Sequence, residues 1–397
     1  MSIDNKTKIV LKSGKDQSLR RFHPWVFSGA IKKIYGNVAE GDVVDVFDNK
    51  DEYLATGHYQ NGSIAVRVLN FDGGEIDEDF YRQKLSAAYE LRKKVGLAES
   101  DHTNVFRLFH AEGDGIPGLI IDYYNGALVL QSHSIGVYRK LDVIKGLLKE
   151  ILGDKLIGIY NKSESTMPKN LDFNVENGSV LGNLNQNEAK ENGLTFNVRW
   201  VDGQKTGFFV DQRNNRKLLG EYARGRRVLN MFCYSGGFSV YALANEAELV
   251  HSVDSSAKAI DLVNQNVALN FPDCKNHEAY PVDAFEFMKD IKDKYNCIIL
   301  DPPAFAKHQN VLNNALQGYK RLNQLAFEQI APGGIVFTFS CSQAVSKENF
   351  RKSVFAAAAN ARRNVRILEQ LTQPADHPVN IYHPEGEYLK GLVLYVE

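Results

Sequence analysis

Two residues of this chain combine reactive side chains with positions that a fold would expose. The run Asn296-Cys297-Ile298-Ile299-Leu300 is apolar until it breaks at Asp301-Pro302-Pro303-Ala304-Phe305, and the run 333–339 ends in Ser340-Cys341-Ser342. Both runs read as strands of a parallel sheet, buried on both faces. Ligands of an open α/β sheet bind beyond the carboxyl ends of its strands, so Asp301 and Cys341 are expected at one crevice. The two prolines fix the loop after Asp301, which is expected to hold a base by its hydrogen-bonding edge, with Pro302 and Phe305 beside it. Carbon 5 of a pyrimidine is too weak a nucleophile to take a methyl group from a sulfonium unaided. A thiolate adding to carbon 6 makes an enamine whose carbon 5 can attack, and loss of the carbon 5 proton then expels the thiolate. Cys341 is the expected thiolate, while Cys233, Cys274 and Cys297 read as small packed residues.

A second stretch must bring a ligand to that crevice. Val228-Leu229-Asn230-Met231-Phe232-Cys233-Tyr234-Ser235-Gly236-Gly237-Phe238 reads as a strand, a tight glycine turn and the start of a helix, the first turn of a nucleotide-binding βαβ unit. Without a Cβ, Gly236 and Gly237 let backbone approach a ligand, at which the following helix points its unpaired N–H groups. The spacing lacks the full G-x-G-x-x-G, so a dinucleotide fits poorly and an adenosyl ligand fits better. Asn230, Phe232, Ser235, Gly236 and Gly237 are the expected contacts. Asp254 closes the next strand where a ribose hydroxyl pair is held in such folds. Asp283, followed by Ala284, closes a third strand and is placed to accept from an adenine amine. Each acid alone reads as a strand-end cap; their order after the glycine loop favours the ligand.

The composition is that of a soluble multidomain protein. No apolar run approaches the ~18 residues of a membrane helix and no signal-like segment opens the chain, which predicts a cytoplasmic protein that meets no membrane. The four cysteines form no C-x-x-C pair and no H-E-x-x-H occurs, so neither a disulfide framework nor a metal site is expected. Net charge is −1, yet segment 6–33 carries six Lys and two Arg against one acid, Asp16, a patch that could hold phosphates or be a solvated face.

The length predicts two or three domains, drawn here at 1–75, 76–190 and 191–397. The first is a small β unit built on 9–11, 43–47, 53–57 and 64–69. Its segment Arg20-Arg21-Phe22-His23-Pro24-Trp25-Val26-Phe27 suits phosphate contact and base stacking, with Arg20, Arg21 and Trp25 as expected RNA contacts, or an aromatic plug for a small barrel. The unit resembles a PUA domain, an RNA-binding pseudobarrel. The middle domain reads as α+β, with an amphipathic helix over 77–95 whose polar positions include Arg82 and Arg92, a second helix over 138–152, and a turn at 112–118 that is either a hairpin connection or a substrate-facing rim. Segment 161–192 reads as flexible or as an extended hairpin. The last domain is α/β and Rossmann-like, its helix over 257–269 carrying Asn264, Asn266 and Asn270 on the polar side.

Taken together, Lys205-Thr206-Gly207-Phe208-Phe209-Val210-Asp211-Gln212-Arg213-Asn214-Asn215-Arg216, the glycine loop, Asp301–Phe305, 339–342, Gln373-Pro374-Ala375-Asp376-His377-Pro378 and Pro384-Glu385-Gly386 resemble the bacterial large-subunit ribosomal RNA 5-methylcytosine methyltransferase I family. The resemblance runs through nearly the whole chain. It implies a class I methyltransferase domain behind the PUA-like and middle domains, S-adenosylmethionine as donor, and a cytosine of 23S ribosomal RNA, free or in a large-subunit assembly intermediate, as acceptor. It also implies Cys341 as nucleophile and Asp301 as the group holding the cytosine, with Gln212 at the donor and Arg213 at the substrate. The position that carries a second cysteine in many RNA 5-methylcytosine enzymes is Pro303 here, as in the family resembled, which leaves the base that takes the carbon 5 proton unassigned. Two alternatives stay open: transfer to an exocyclic amine of guanine or adenine, and a non-catalytic RNA-binding assembly factor. The oligomeric state is also open, a homodimer being one option.

Overall fold

The computed structural model describes residues 7–168, 171, 173–184, 187–305 and 311–397; Lys6 of the basic segment and parts of 161–192 lie outside them. The chain divides into two compact units. One comprises Met1–Ala189, Val198–Phe208 and Ala375–Gly386, the other Lys190–Asn197, Phe209–Pro374 and Glu387–Glu397.

In the first unit, β1 (Thr7–Leu11), β2 (Trp25–Phe27), β3 (Ile31–Tyr35), β4 (Val43–Phe47), β5 (Tyr53–Tyr59) and β6 (Ile64–Asn70) form a sheet in the order β2-β6-β5-β4-β1-β3. Alternate residues of these β-branched runs, among them Ile9, Leu11, Val44, Val46, Val66 and Val68, share one core. Helix α1 (Glu78–Lys94) starts at Asp77, whose carboxylate accepts from the Phe80 amide. It leads to a second sheet, ordered β11-β10-β9-β8-β7, made of β7 (Val105–His110), β8 (Leu119–Tyr124), β9 (Ala127–Ser132), β10 (Gly158–Asn161) and β11 (Gly178–Gly182). Between these strands lie α2 (Ala111–Asp114), α3 (Ile135–Tyr138) and α4 (Leu141–Leu152).

Three expectations for this unit change. The helix expected over 138–152 starts at Leu141, after the separate short α3 that Ser134 caps. The 112–118 turn is mostly α2 and the bend after it. Arg92 is fully buried rather than on the polar face of α1. Its guanidinium donates twice to Asp114, at 2.7 Å each, and to the Asp376 carbonyl at 2.8 Å. Arg107 pairs bidentately with Asp122, which also accepts from Thr206 Oγ1 at 2.6 Å. These buried charges are matched and hydrogen-bonded, as the interior requires, and they hold segments 198–208 and 375–386 to strands far away in sequence.

A two-stranded ribbon, β12 (Glu188–Glu191) and β13 (Leu194–Asn197), carries the chain into the second unit. There α5 (Arg213–Ala223), β14 (Arg227–Met231), α6 (Gly237–Ala244), β15 (Leu249–Val253), α7 (Ala257–Asn270), β16 (His277–Tyr280), α8 (Ala284–Phe287), β17 (Cys297–Leu300), α9 (Leu312–Gln329), β18 (Gly334–Ser340), α10 (Lys347–Ala361), β19 (Val365–Leu371) and β20 (Lys390–Val396) follow. The sheet order is β16-β15-β14-β17-β18-β20-β19, parallel from β16 to β18, with β20 antiparallel to both its neighbours. Both faces are covered. Leu229, Met231, Ile298 and Leu300 pack toward α9 and α10, whereas Val228, Cys297, Ile299, Phe337 and Phe339 pack toward α5 and α6. Strand order reverses between β14 and β17, so a crevice opens at their carboxyl ends, the binding position of doubly wound sheets.

Candidate active site

The second unit gathers most of the expected site residues at that sheet edge. Gly236 adopts φ +74°, and a Cβ there would lie 2.9 Å from Val263 Cγ1, so only glycine turns the chain at this point. Phe232 (φ 58°) and Tyr234 (φ 44°) also take left-handed conformations that side chains ordinarily avoid. Such concentrated strain marks a loop shaped for a ligand rather than for its own stability. Gly237 starts α6, presenting the helix's first amides. Ser235 is buried, its carbonyl accepting from the Asn266 amide at 2.8 Å. Asn266, expected on the polar side of its helix, is fully buried and serves as the strut under the loop.

Asp254 directly follows β15 as expected, whereas Asp283 does not end a strand: β16 stops at Tyr280, and the acid caps α8 three residues further on. Asp254 Oδ2 accepts from the Tyr234 amide at 3.1 Å and Oδ1 from the Ser256 amide at 2.9 Å. A carboxylate has about four acceptor positions, so it anchors the loop and can still receive a ribose diol. Asp283 caps α8, with both amides, Phe285 and Glu286, bonded to Oδ1. Ala284, the first residue of α8, is buried in the core beside it. Asn230 is buried and donates to Ser239 Oγ at 2.8 Å, inside the sheet rather than at the loop surface. Phe232 is half-buried against the core.

Asp301 follows Leu300, which pairs with Thr338 of β18, three residues before Cys341. Gln212, expected at the donor, donates its amide to Asp301 Oδ2 at 3.1 Å and accepts from Asn215 at 2.6 Å. It therefore aims the carboxylate. Pro302 is buried, and Phe305, half-buried, packs on Tyr319 with ring centroids 4.7 Å apart. Tyr319 Oη in turn meets Ser342 Oγ at 2.9 Å, tying α9 to the turn that carries Cys341. Cys341 is partly exposed and packs at the margin of the α5/α6 cluster. The other three thiols differ: burial pushes Cys233 well above the ordinary thiol range and Cys297 up to about 12, so both stay protonated, and half-buried Cys274 lies before β16, away from the carboxyl ends of the strands, donating to Asn276 Oδ1.

Arg213, expected at the substrate, is buried, with Nε 3.5 Å from Glu191 Oε2. Glu191 is fully buried and binds Arg216 bidentately, at 2.8 and 2.7 Å. Arg216 passes beneath Gly237, where a Cβ would lie 2.8 Å from its Cδ. The motif 205–216 thus supplies the scaffold under the loop. Glu191 had no sequence signal, because its partners Arg213 and Arg216 lie 22 and 25 residues away within another element.

The remaining expected contacts belong to the first unit. Arg20 pairs with Asp16, Asp48 and Glu52 at 2.6, 2.7 and 2.8 Å, so its guanidinium is engaged within its own sheet. The basic count overlooked Asp48 and Glu52, which the fold brings to it. Arg21 is exposed; Trp25 is half-buried and donates Nε1–H to Glu112 at 2.9 Å. Phe22 and Tyr382, about half exposed, stand 5.2 Å apart between ring centroids. Among the described residues, His23, His383 and Glu385 offer ligand atoms within 4.8 Å of one another. The Trp25 amide donates to His23 Nδ1, however, which leaves the ring proton on Nε2, facing Glu385 at 3.3 Å. Metal-bound histidines have the reverse arrangement, donating from the second nitrogen; a hydrogen-bonded pair accounts for His23 and Glu385, while both ring nitrogens of the buried His383 stand without a hydrogen-bond partner among the described residues.

The strand order, the strained glycine loop, and the acids after β15 and before α8 define an S-adenosylmethionine-dependent methyltransferase fold. A model of the S-adenosylmethionine-dependent methyltransferase family matches residues 175–388, and one of the PUA-like domain matches residues 9–71. The chain is 40% identical over 396 residues to ribosomal RNA large subunit methyltransferase I of Aeromonas hydrophila, covering 97% of this chain and 98% of that one. It is also 40% identical to the protein of that name from Photobacterium profundum, covering 98% and 100%. A solved structure from Streptococcus mutans described as an S-adenosylmethionine-dependent methyltransferase superposes with a TM-score of 0.84 at 24% identity, over 98% of this chain and all of that one. The chain belongs to the ribosomal RNA large subunit methyltransferase I family, with S-adenosylmethionine as its cofactor. The loop and its acids fit that donor: the αL glycine leaves room at the amides, and both carboxylates keep acceptor positions for hydroxyls and an amine.

Proposed function

We propose that this enzyme methylates carbon 5 of a cytosine in large-subunit ribosomal RNA through a covalent adduct on Cys341. The observation that carries the reading is the partly exposed Cys341 one strand away from Asp301, at the edge where the strained glycine loop lies. The relatives' name supplies the RNA class. Bound S-adenosylmethionine supplies an electrophilic methyl group. The donor amides of α6, with Asp254 and Asp283, would hold its adenosyl part, and the Asp301 carboxylate, aimed by Gln212, would accept from the cytosine amine. The Cys341 thiolate forms a bond to carbon 6, shifting the 5,6 electron pair onto carbon 5. Carbon 5 takes the methyl group, its proton leaves to water, the double bond reforms, and the carbon–sulfur bond breaks to return the thiolate. A base inside a helix must be unstacked to reach such a crevice.

The PUA-like sheet is the proposed RNA dock, through Arg21 and the exposed rings of Phe22 and Tyr382, because stacking and phosphate contact together bind RNA. Arg21→Glu is expected to weaken RNA binding and to lower its salt slope by about one, with donor affinity unchanged. Filter binding across a salt series measures both, and an unchanged slope would make the segment a solvated face.

The acceptor atom is tested by transferring labelled methyl groups to unmodified large-subunit RNA, digesting to nucleosides and identifying the label. 5-Methylcytidine is expected. An N-methylated guanosine or adenosine would replace the reading with amine methylation, and donor binding without any transfer would favour an assembly factor.

A further inference from the structure

Lys390 opens β20 directly opposite Ser340, the last residue of β18. It is 5% exposed, and its Nζ donates to the Ser342 carbonyl at 2.6 Å. Among the described residues, no carboxylate lies within ion-pairing distance of it. Glu387, the nearest acid in sequence, is engaged with Lys347 at the surface. A buried ammonium without a carboxylate is costly and uncommon, and a hydrogen bond to one carbonyl does not neutralise it.

The place of this charge gives it a purpose. Alternation along β18 puts Cys341 with Phe337 and Phe339 on the α5/α6 side, while alternation along β20 puts Lys390 with Leu392 and Leu394 on the other side. The ammonium therefore reaches the turn through the Ser342 carbonyl and the sulfur through its field. We infer that Lys390 is a positioning residue for the nucleophile: it fixes the Cys341-Ser342 turn and supplies the positive charge that offsets the Cys341 thiolate. The thiol proton leaves to solvent, and no bond to Lys390 forms or breaks. This inference rests on the reading of Cys341 as the nucleophile.

Burial pushes the Lys390 ammonium down to about 8; Cys341 and then Glu387 oppose that shift, and Lys347 adds to it. Lys390 lines a cavity of about 320 Å³ together with Glu348 and Arg351 of α10, and Tyr319 approaches the turn from α9. A lysine titrating lower in the folded chain than unfolded destabilises the fold while it is charged, and that cost is relieved as pH rises from about 8 toward the ordinary lysine value. A neutral isostere should thus leave the fold at least as stable.

The test is peptide-resolved alkylation of Cys341 by iodoacetamide against pH, in the full-length wild type, Lys390→Met and Lys390→Arg. In the wild type the midpoint is expected below the ordinary thiol value of about 8.5. Lys390→Met should raise it by at least about half a unit, a threefold slower reaction at pH 7, with thermal stability unchanged or higher; Lys390→Arg should restore it. A wild-type midpoint at or above the ordinary value overturns the inference even if the Met variant does not fold. An unchanged midpoint in Lys390→Met, or a lowered stability with no change in midpoint, overturns it as well. Undiminished methyl transfer by Cys341→Ala is a separate result, which removes the nucleophile reading itself whatever the alkylation profile.

Discussion

Cys341→Ala is expected to lower methyl transfer by about four orders of magnitude while leaving donor binding within a factor of two, because a nucleophile acting as part of a unit is lost entirely when its sulfur is removed. The substitution is small and the site can absorb it: Cys341 is partly exposed at the rim of the α5/α6 cluster, so alanine removes little packing. No other thiol can substitute. Cys297 lies in the middle of the sheet and Cys233 is buried within the glycine loop, both kept protonated by burial, and Cys274 lies before β16 at the amino end of the strands, the edge opposite the crevice. Calorimetry for the donor and a radiolabelled transfer assay separate the two quantities. Loss of both together would mean that the turn has collapsed; retained transfer would mean that Asp301 methylates an amine without a covalent step.

Arg216→Met is expected to destabilise the second unit by about 3–5 kcal/mol, since it leaves the fully buried Glu191 without its bidentate partner. For a unit of this size that lowers the melting temperature by roughly 10 °C. Arg213 remains near Glu191 at 3.5 Å and softens the loss. The effect should also reach the donor, because the Arg216 stem lies directly beneath Gly237. Removing both charges with Glu191→Leu in the same chain should recover much of the stability, as apolar replacements of buried ion pairs do. Differential scanning calorimetry of the single and double variants measures this; a melting temperature unchanged in Arg216→Met would show that the pair carries no stability.

The sheet that positions the site was legible because parallel strands are short apolar runs that stop at a polar residue. Leu300 before Asp301, Val253 before Asp254 and Ser340 before Cys341 all end where their runs end. The glycine turn was legible because Gly236 occupies a backbone conformation that side chains resist. Which polar side chains look inward, and which exposed ones are already paired, was not legible. Arg20, Arg92, Arg213 and Asn266 have the composition of solvent-facing residues, and each is claimed by a partner from a distant segment, such as Asp48 for Arg20 and Ser235 for Asn266. Local periodicity carries no information about such partners. Nor does it show that segments 198–208 and 375–386 return to the first unit, since that return is made by Thr206 donating to Asp122 of β8 and by Asp376 accepting from the Arg92 guanidinium of α1 and the Arg107 backbone amide of β7. Lys390 left a fainter signal: a lysine at the head of the apolar run Gly391-Leu392-Val393-Leu394 has no reason to be there for packing alone.

The covalent step is tested most directly by trapping. Large-subunit RNA transcribed with 5-fluorocytidine has no proton to lose from carbon 5 after methyl transfer, so an adduct formed on Cys341 cannot be released. The expected result is a protein–RNA species that survives denaturing electrophoresis, requires S-adenosylmethionine, and is absent with Cys341→Ala. Normal turnover on the natural RNA with no trapped species on the fluorinated one would contradict the cysteine mechanism.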